Sequence, residues 1–282
     1  MPAPLGLALR AFPPEGARWY AMRGEPSDRG TGSPEGIRLH VLGCFDLIDG
    51  DARPQMPLPC QRLTVLLALR DEPVARAHAA GILWPEIEHD HALGNLRTAL
   101  WRLRSLVPGI VASMGASLRS AASMAIDLRA SEALAHRILD GRLSPEEERA
   151  ASPRLAYDLL PDWDDEWLVF ERERFHDLRI HALERLCDRL SERGEHAEAV
   201  QCGLLAVQSE PLRESACRAL MRAHIAEGNR ARALQLFSTL ERQLDHELQV
   251  SPSAETIAFV RDLLGPARLG VAGEGGTVHA SR

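Results

Sequence analysis

Four arginines define the first chemically informative window. Arg97, Arg102, Arg104 and Arg119 lie between His91 and Ile126, a stretch without a single Asp or Glu. An arginine guanidinium is a planar fork of donors that matches phosphate oxygens and the guanine edge. Such a window inside a chain of net charge −7 points to a polyanion surface rather than to general basicity. Asn95, Thr98 and Ser105 add short polar side chains suited to base edges and phosphates.

Other constellations carry less. His89, Asp90 and His91 could suggest a metal site, but Asp90 also suits the N-cap of the helix that follows. Asp162, Asp164, Asp165 and Glu166 could suggest acid–base chemistry. Interleaved with Trp163 and Trp167 in a stretch that also resembles a known family, they read instead as a helix entry that packs tryptophans into a domain junction. No G-x-S-x-G elbow and no G-x-x-x-x-G-K-[ST] phosphate loop occurs. No catalytic residue, cofactor or metal ligand is assigned, and the chain does not read as an enzyme. The five cysteines are odd in number and none has C-x-x-C spacing, so they read as buried free thiols.

A helix must position the arginines. In HALGNLRTALWRLRSLV, Leu96, Leu100, Leu103 and Val107 recur at steps of four, three and four, which is one helical stripe. Gly94, Thr98, Trp101 and Ser105 fall on the opposite side, flanked by Asn95 and Arg102 on one edge and by Arg97 and Arg104 on the other.

Around it, residues 1–36 hold six Pro and six Gly without apolar periodicity and are expected to be disordered, like the tail 265–282. Ile37, Leu39 and Val41 alternate as a strand that continues through Cys44–Leu47 to a turn at Asp49-Gly50-Asp51. A short edge strand is expected within QMPLP. One helix runs to Asp71-Glu72-Pro73, a second from Ala75 to Trp84, and the arginine helix ends near Pro108-Gly109. Two short strands flank Met114-Gly115-Ala116. Strands, three helices and a hairpin form the order of a winged helix, whose third helix enters the major groove.

The second half is helical. Leu186/Leu220, Gly194/Gly228, Ala197/Ala231 and Ala199/Ala233 each repeat at 34 residues, the tetratricopeptide period. Phe237 fills an aromatic slot. The closing proline expected at Asp245 comes late, at Pro252, which lengthens the last repeat helix. Upstream helices are expected from Asp127 to Gly141 and from Pro145 to about Ala156. Residues 131–264 carry a charge of −9, against +1 for 37–130.

Several stretches together resemble the SARP family of transcriptional activators: GILWPE, HALGNLRTALWRLRSLVPG, IDLRASEALA, LLPDWDDEWLVFERERFHDLRIHALERL and SEPLRESACRALMRAHIAEGNRARALQ. The resemblance covers roughly 37–262 and implies the short form. It implies an α+β winged helix over 37–126, then an all-α tetratricopeptide-like bacterial transcriptional activator domain over 127–264, mostly α overall. It further implies binding to direct repeats in double-stranded promoter DNA, a homodimer on DNA, contact with RNA polymerase holoenzyme and, in many members, control of antibiotic biosynthesis. The DNA-facing positions carried over are Arg62, Asn95, Arg97, Thr98, Trp101, Arg102, Arg104, Ser105 and Arg119. Cys60 and Gln61 stand where relatives often place bases. Trp101 is left between DNA and the second domain. No apolar run approaches the roughly 20 residues of a membrane span, so a cytoplasmic protein is expected. The competing reading is a protein-interaction scaffold or a small-molecule sensor with little DNA binding.

Overall fold

Pro57 and Pro59 settle how the first helix begins. Their fixed φ suits a helix start better than a sheet edge. In the computed structural model, which describes residues 36–264, Pro57 is the N-cap of α1 (Leu58–Ala68). The strand expected within QMPLP is therefore absent. The segments expected to be disordered, 1–36 and 265–282, lie outside the described residues apart from Gly36. The chain divides into two compact units that meet between Ile126 and Asp127.

In the first unit, β1 (Ile37–His40) does not run on as one strand. It turns back and pairs antiparallel with β2 (Asp46–Asp49), in the register His40↔Asp46. Gly43, at φ 85°, stands in the reversal that the alternation of apolar residues did not reveal. After α1 come β3 (Val74–Ala75), α2 (Arg76–Leu83) and α3 (His89–Leu106). The hairpin β4 (Val111–Met114) and β5 (Ser117–Ser120) turns at Gly115, and β5 also takes in β3 to make a three-stranded sheet. A final two-residue strand, β6 (Ala125–Ile126), lies parallel to β1. This is a winged helix with its core of leucines between α1, α2, α3 and the wing sheet. The short strands β3 and β6 were not expected, since two residues give no readable period.

The second unit is all α. It contains α4 (Asp127–Leu139), α5 (Pro145–Arg149), a 3₁₀ turn (Ser152–Leu155), α6 (Glu166–Glu192), α7 (His196–Ser209), α8 (Glu214–Ala226), α9 (Arg230–Leu248) and α10 (Ala254–Leu264). The helix expected from Pro145 to Ala156 is thus split in two. Its start is a capping box, in which Ser144 and Glu147 satisfy each other's backbone N–H groups.

The 34-residue repeat is real at backbone level. Gly194 and Gly228 both take positive φ, 79° and 87°, and each lies between a repeat's two helices. At each, the residue after the glycine donates back into the last turn, Glu195 to the Leu190 carbonyl and Asn229 to the His224 carbonyl. Ala199 and Ala233 are fully buried, as the repeat requires. Ala197 and Ala231 are exposed in both copies, so their matching reflects register rather than packing. Phe237 is part of the second repeat's apolar cluster with Met221, Leu240 and Leu244. With the proline delayed to Pro252, α9 reaches 19 residues where α7 has 14.

Two buried charges stitch this unit. Arg179 of α6 has no exposed surface and donates to the Leu155 carbonyl at 3.1 Å, Asp158 at 2.7 Å and the Ser209 hydroxyl at 2.9 Å. It thereby fixes the irregular stretch after the 3₁₀ turn to α6 and α7. Glu148 is equally buried and pairs with Arg189 and Arg193 of the α6 end. Buried charges persist only when paired in this way.

Four of the five thiols are buried, but Cys44 is exposed, which departs from the expectation of uniformly buried cysteines. Burial pushes Cys187, Cys202 and Cys217 up to about 12 and raises Cys60, so these four are neutral and shielded at pH 7. Titration of the native protein with a chromogenic disulfide should therefore release one equivalent, from Cys44, and the remainder only on denaturation. A second prediction concerns the crossing of α7 and α8. A Cβ on Gly203 would stand 3.0 Å from Leu220 Cα, Cβ and Cδ1. Gly203→Ala should destabilise the second unit by about 1–3 kcal/mol in urea denaturation; an unchanged midpoint would contradict the close approach.

Candidate nucleic-acid interface

The rotation of α3 about its own axis follows from burial. Ala92, Leu96, Ala99, Leu100 and Leu103 are buried, and Val107 at the C-cap is fully buried. They meet α1, which offers Leu63, Leu66 and Leu67, and α2, which offers Ala79, Ala80 and Leu83. The Cys60 thiol donates to the Ala99 carbonyl at 3.5 Å and is itself fully buried. At 100° per residue these anchors force the intervening residues outward. Arg97, Thr98, Trp101, Arg102, Arg104 and Ser105 are all exposed, and Trp101 keeps 70% of its surface. Such exposure is far above what a large aromatic ordinarily keeps.

The N-terminus of α3 differs from the expectation. Asp90 is not the cap. Glu88 is, without a side-chain cap bond, and Asp90 sits two residues further in, as the second residue of the helix. The helix starts early because His89 and Asp90 already have helical geometry; Asp90 then acts on the dipole of the first turn rather than as a hydrogen-bonding cap. His89, Asp90 and His91 are all exposed.

The exposed face has two flanks. On one, Arg97, Trp101, Arg104 and Ser105 line an open pocket together with Leu100 and Arg76. Arg104 donates to the hydroxyl of Ser113 on β4, and Arg76 donates to the same oxygen at 2.9 Å. The other flank holds Asn95, Thr98 and Arg102, none of which lines that pocket. Asn95 is half-buried. Thr98 and Ser105 each turn their hydroxyl hydrogen back to the carbonyl four residues earlier, Gly94 at 3.1 Å and Trp101 at 2.9 Å. This leaves their oxygens to outside partners as acceptors. Among the described residues Arg97 and Arg102 have no hydrogen bond or ion pair, and Arg104 meets no carboxylate.

Two expected contacts stand apart. Arg62 lies half-buried within α1 rather than in the pocket. Arg119 lies on β5, opposite Ala112, and donates to the Asp71 carbonyl at 3.0 Å. The wing tip is instead Met114, which is 57% exposed, with Gly115 and Ala116.

Arg76 and Ser113 are the residues that the sequence reading missed. A signal existed for Arg76, since it is the first residue of a helix whose first turn has no acid. A cation there opposes the helix dipole, which calls for a separate reason. Ser113 had none, because its role depends on the wing folding back beside α2 and α3.

Residues 154–264 match the family model of the bacterial transcriptional activator domain. The second unit carries that domain. It is the domain that the SARP resemblance implied. The fold is also similar to that of Mycobacterium tuberculosis EmbR, solved in complex with a low-affinity phosphopeptide. The TM-score is 0.65 at 17% identity, over 82% of this chain and 65% of that one. The chain therefore spans about two thirds of that structure, and the likeness is one of fold. No curated protein matches the sequence. Among the described residues no helix is long and apolar enough to cross a membrane.

Two neighbouring residues of α3 test the orientation of the face. Leu103→Ala should cost about 2–5 kcal/mol of stability. Trp101→Ala should stay within about 0.5 kcal/mol of wild type. Equal losses in urea denaturation would show that the exposed and buried faces have been misassigned.

Proposed function

We propose that the protein is a sequence-specific transcriptional activator that binds direct repeats in promoter DNA, as a homodimer on the DNA. Residues 37–126 are the DNA-binding unit, and 127–264 contact RNA polymerase holoenzyme and bring protomers together. Asn95, Thr98 and Arg102 read base edges. Arg97, Arg104 and Ser105 meet phosphates beside them, Trp101 covers sugar or thymine methyls, and Arg62 and Arg119 contribute charge at the margins. The regulated genes are those of one pathway, in the manner of secondary-metabolite clusters. No catalytic step, cofactor or metal enters this reading, and its setting is the cytoplasm.

The observation that carries it is the arginine face of α3, whose Arg97, Arg102 and Arg104 meet no carboxylate among the described residues and are held outward by a buried leucine stripe. An exposed helix face without a compensating acid is costly to keep near other cations and suits a polyanion. A gel-shift screen of fragments from the protein's own genomic neighbourhood should find a retarded promoter fragment, more strongly at low salt. Arg102→Ala should weaken binding to that fragment by about 1–3 kcal/mol and relax the preference at one base position. Finding no retarded fragment at any salt concentration would overturn the proposal.

A further inference from the structure

Arg76 begins α2, Arg104 lies in the last turn of α3, and Ser113 lies on the wing strand β4. Both guanidinium groups donate to the one Ser113 hydroxyl oxygen. Two cations thus converge on a neutral acceptor, and among the described residues neither meets a carboxylate. The N-terminus of α2 opens at the same place. Its N-cap is Ala75, no side chain caps it, and no acid lies in its first turn. The Arg76 N–H is taken by the Ala116 carbonyl, but the helix end keeps its positive dipole. The pocket beside these groups is open and is lined by Arg76, Arg97, Trp101 and Arg104.

Like charges held this close repel unless an anion lies between them. A hydroxyl oxygen offers two lone pairs and no charge. A backbone phosphate offers more acceptor capacity and one negative charge shared by its two free oxygens, in a geometry that suits guanidinium forks.

We infer that Arg76, Arg104 and Ser113 form a clamp for one backbone phosphate of duplex DNA, with Ser113 holding the two guanidiniums in place until the phosphate arrives. This rests on the DNA-binding reading above and adds to it a contact from α2 and from the wing. The clamp joins three elements, so it fixes the angle at which α3 meets the groove. It reads no base, and its contribution is the same on any sequence.

Fluorescence anisotropy with a labelled duplex of arbitrary sequence, titrated over a range of salt concentrations, tests the clamp on the full chain. Arg76→Ala should weaken binding about tenfold, the loss of one charge-assisted contact. It should also reduce the slope of log affinity against log salt by about one. Arg76→Lys should restore most of the slope. Ser113→Asp, which places a carboxylate where the phosphate would sit, should abolish binding while leaving the thermal unfolding curve in place. Wild-type binding with unchanged affinity and slope in Arg76→Ala, and full binding by Ser113→Asp, would overturn the clamp and leave the DNA-binding reading intact. No duplex binding by wild type would overturn both. Thermal stabilisation of wild type by inorganic phosphate alone, lost in Arg76→Ala, without duplex binding, would assign the clamp to a free anion and overturn the DNA assignment.

Discussion

Burial of one leucine stripe governs the first unit of the molecule. Leu96, Leu100 and Leu103 are removed from water between α1 and α2, and each such side chain stabilises by roughly 1.5–3 kcal/mol. A helix cannot hide that stripe in more than one rotational setting. The setting that does so turns Arg97, Trp101 and Arg104 toward α2 and the wing, and Asn95, Thr98 and Arg102 to the other side. The chemistry of the exposed face is therefore fixed by residues that never touch a ligand. The same constraint accounts for Cys60. It is fully buried and its thiol is bonded to the Ala99 carbonyl. Burial has already raised its pKa against the nearby Arg102 charge, so a cation at this position would have to leave the core to be useful.

The second unit is held by a different balance. Its helices approach closely because the crossing residues are small. Ala199, Gly203 and Ala206 on α7 face Ala216, Ala219 and Leu220 on α8 and its neighbours. Small residues bury little apolar area each, so the unit gains specificity from polar ties as well. Arg179 binds Leu155 and Asp158 before α6 and Ser209 at the end of α7, and its desolvation lowers its own pKa while Asp158 holds the charge. Such a network is costly to desolvate, and it selects one arrangement of α6, α7 and the irregular segment before α6.

What was legible in the sequence follows from these two balances. The leucine steps of α3, the 34-residue glycine spacing and the delayed Pro252 are periodic or local signals, and each appears in the fold where its period placed it. The reversal at Gly43, the two-residue strands β3 and β6 and the break after Arg149 are not periodic. They depend on partners distant in the chain, as when β6 pairs with β1. The exposed face of α3 was readable residue by residue, but its division into two flanks was not. That division arises from Ser113, which reaches Arg76 across 37 positions and Arg104 across nine. Arg119 was read as a wing contact from its place in a hairpin. Its bond to the Asp71 carbonyl depends on β3 joining the wing sheet, and no sequence period announces that pairing.

Net charge is a poor guide to the affinity of such a surface. The stretch 37–130 is only +1, and the chain as a whole is −7. Attraction at long range is therefore weak or repulsive, and screening over roughly 8–10 Å at ordinary salt removes most of what remains. On the proposed DNA-binding reading, binding energy comes at short range, from cations already placed and meeting no carboxylate among the described residues. Among the described residues Arg97 and Arg102 have no competing ion pair to break, and Arg76 and Arg104 are already drawn together around one oxygen. The acids of the second unit act in the opposite sense. Under the same proposal they lower binding to arbitrary polyanions, so the balance between specific and non-specific sites shifts toward surfaces that match the placed arginines. A local basic face on an acidic chain is, on this view, a means of selectivity, obtained by withholding general attraction rather than by adding contacts.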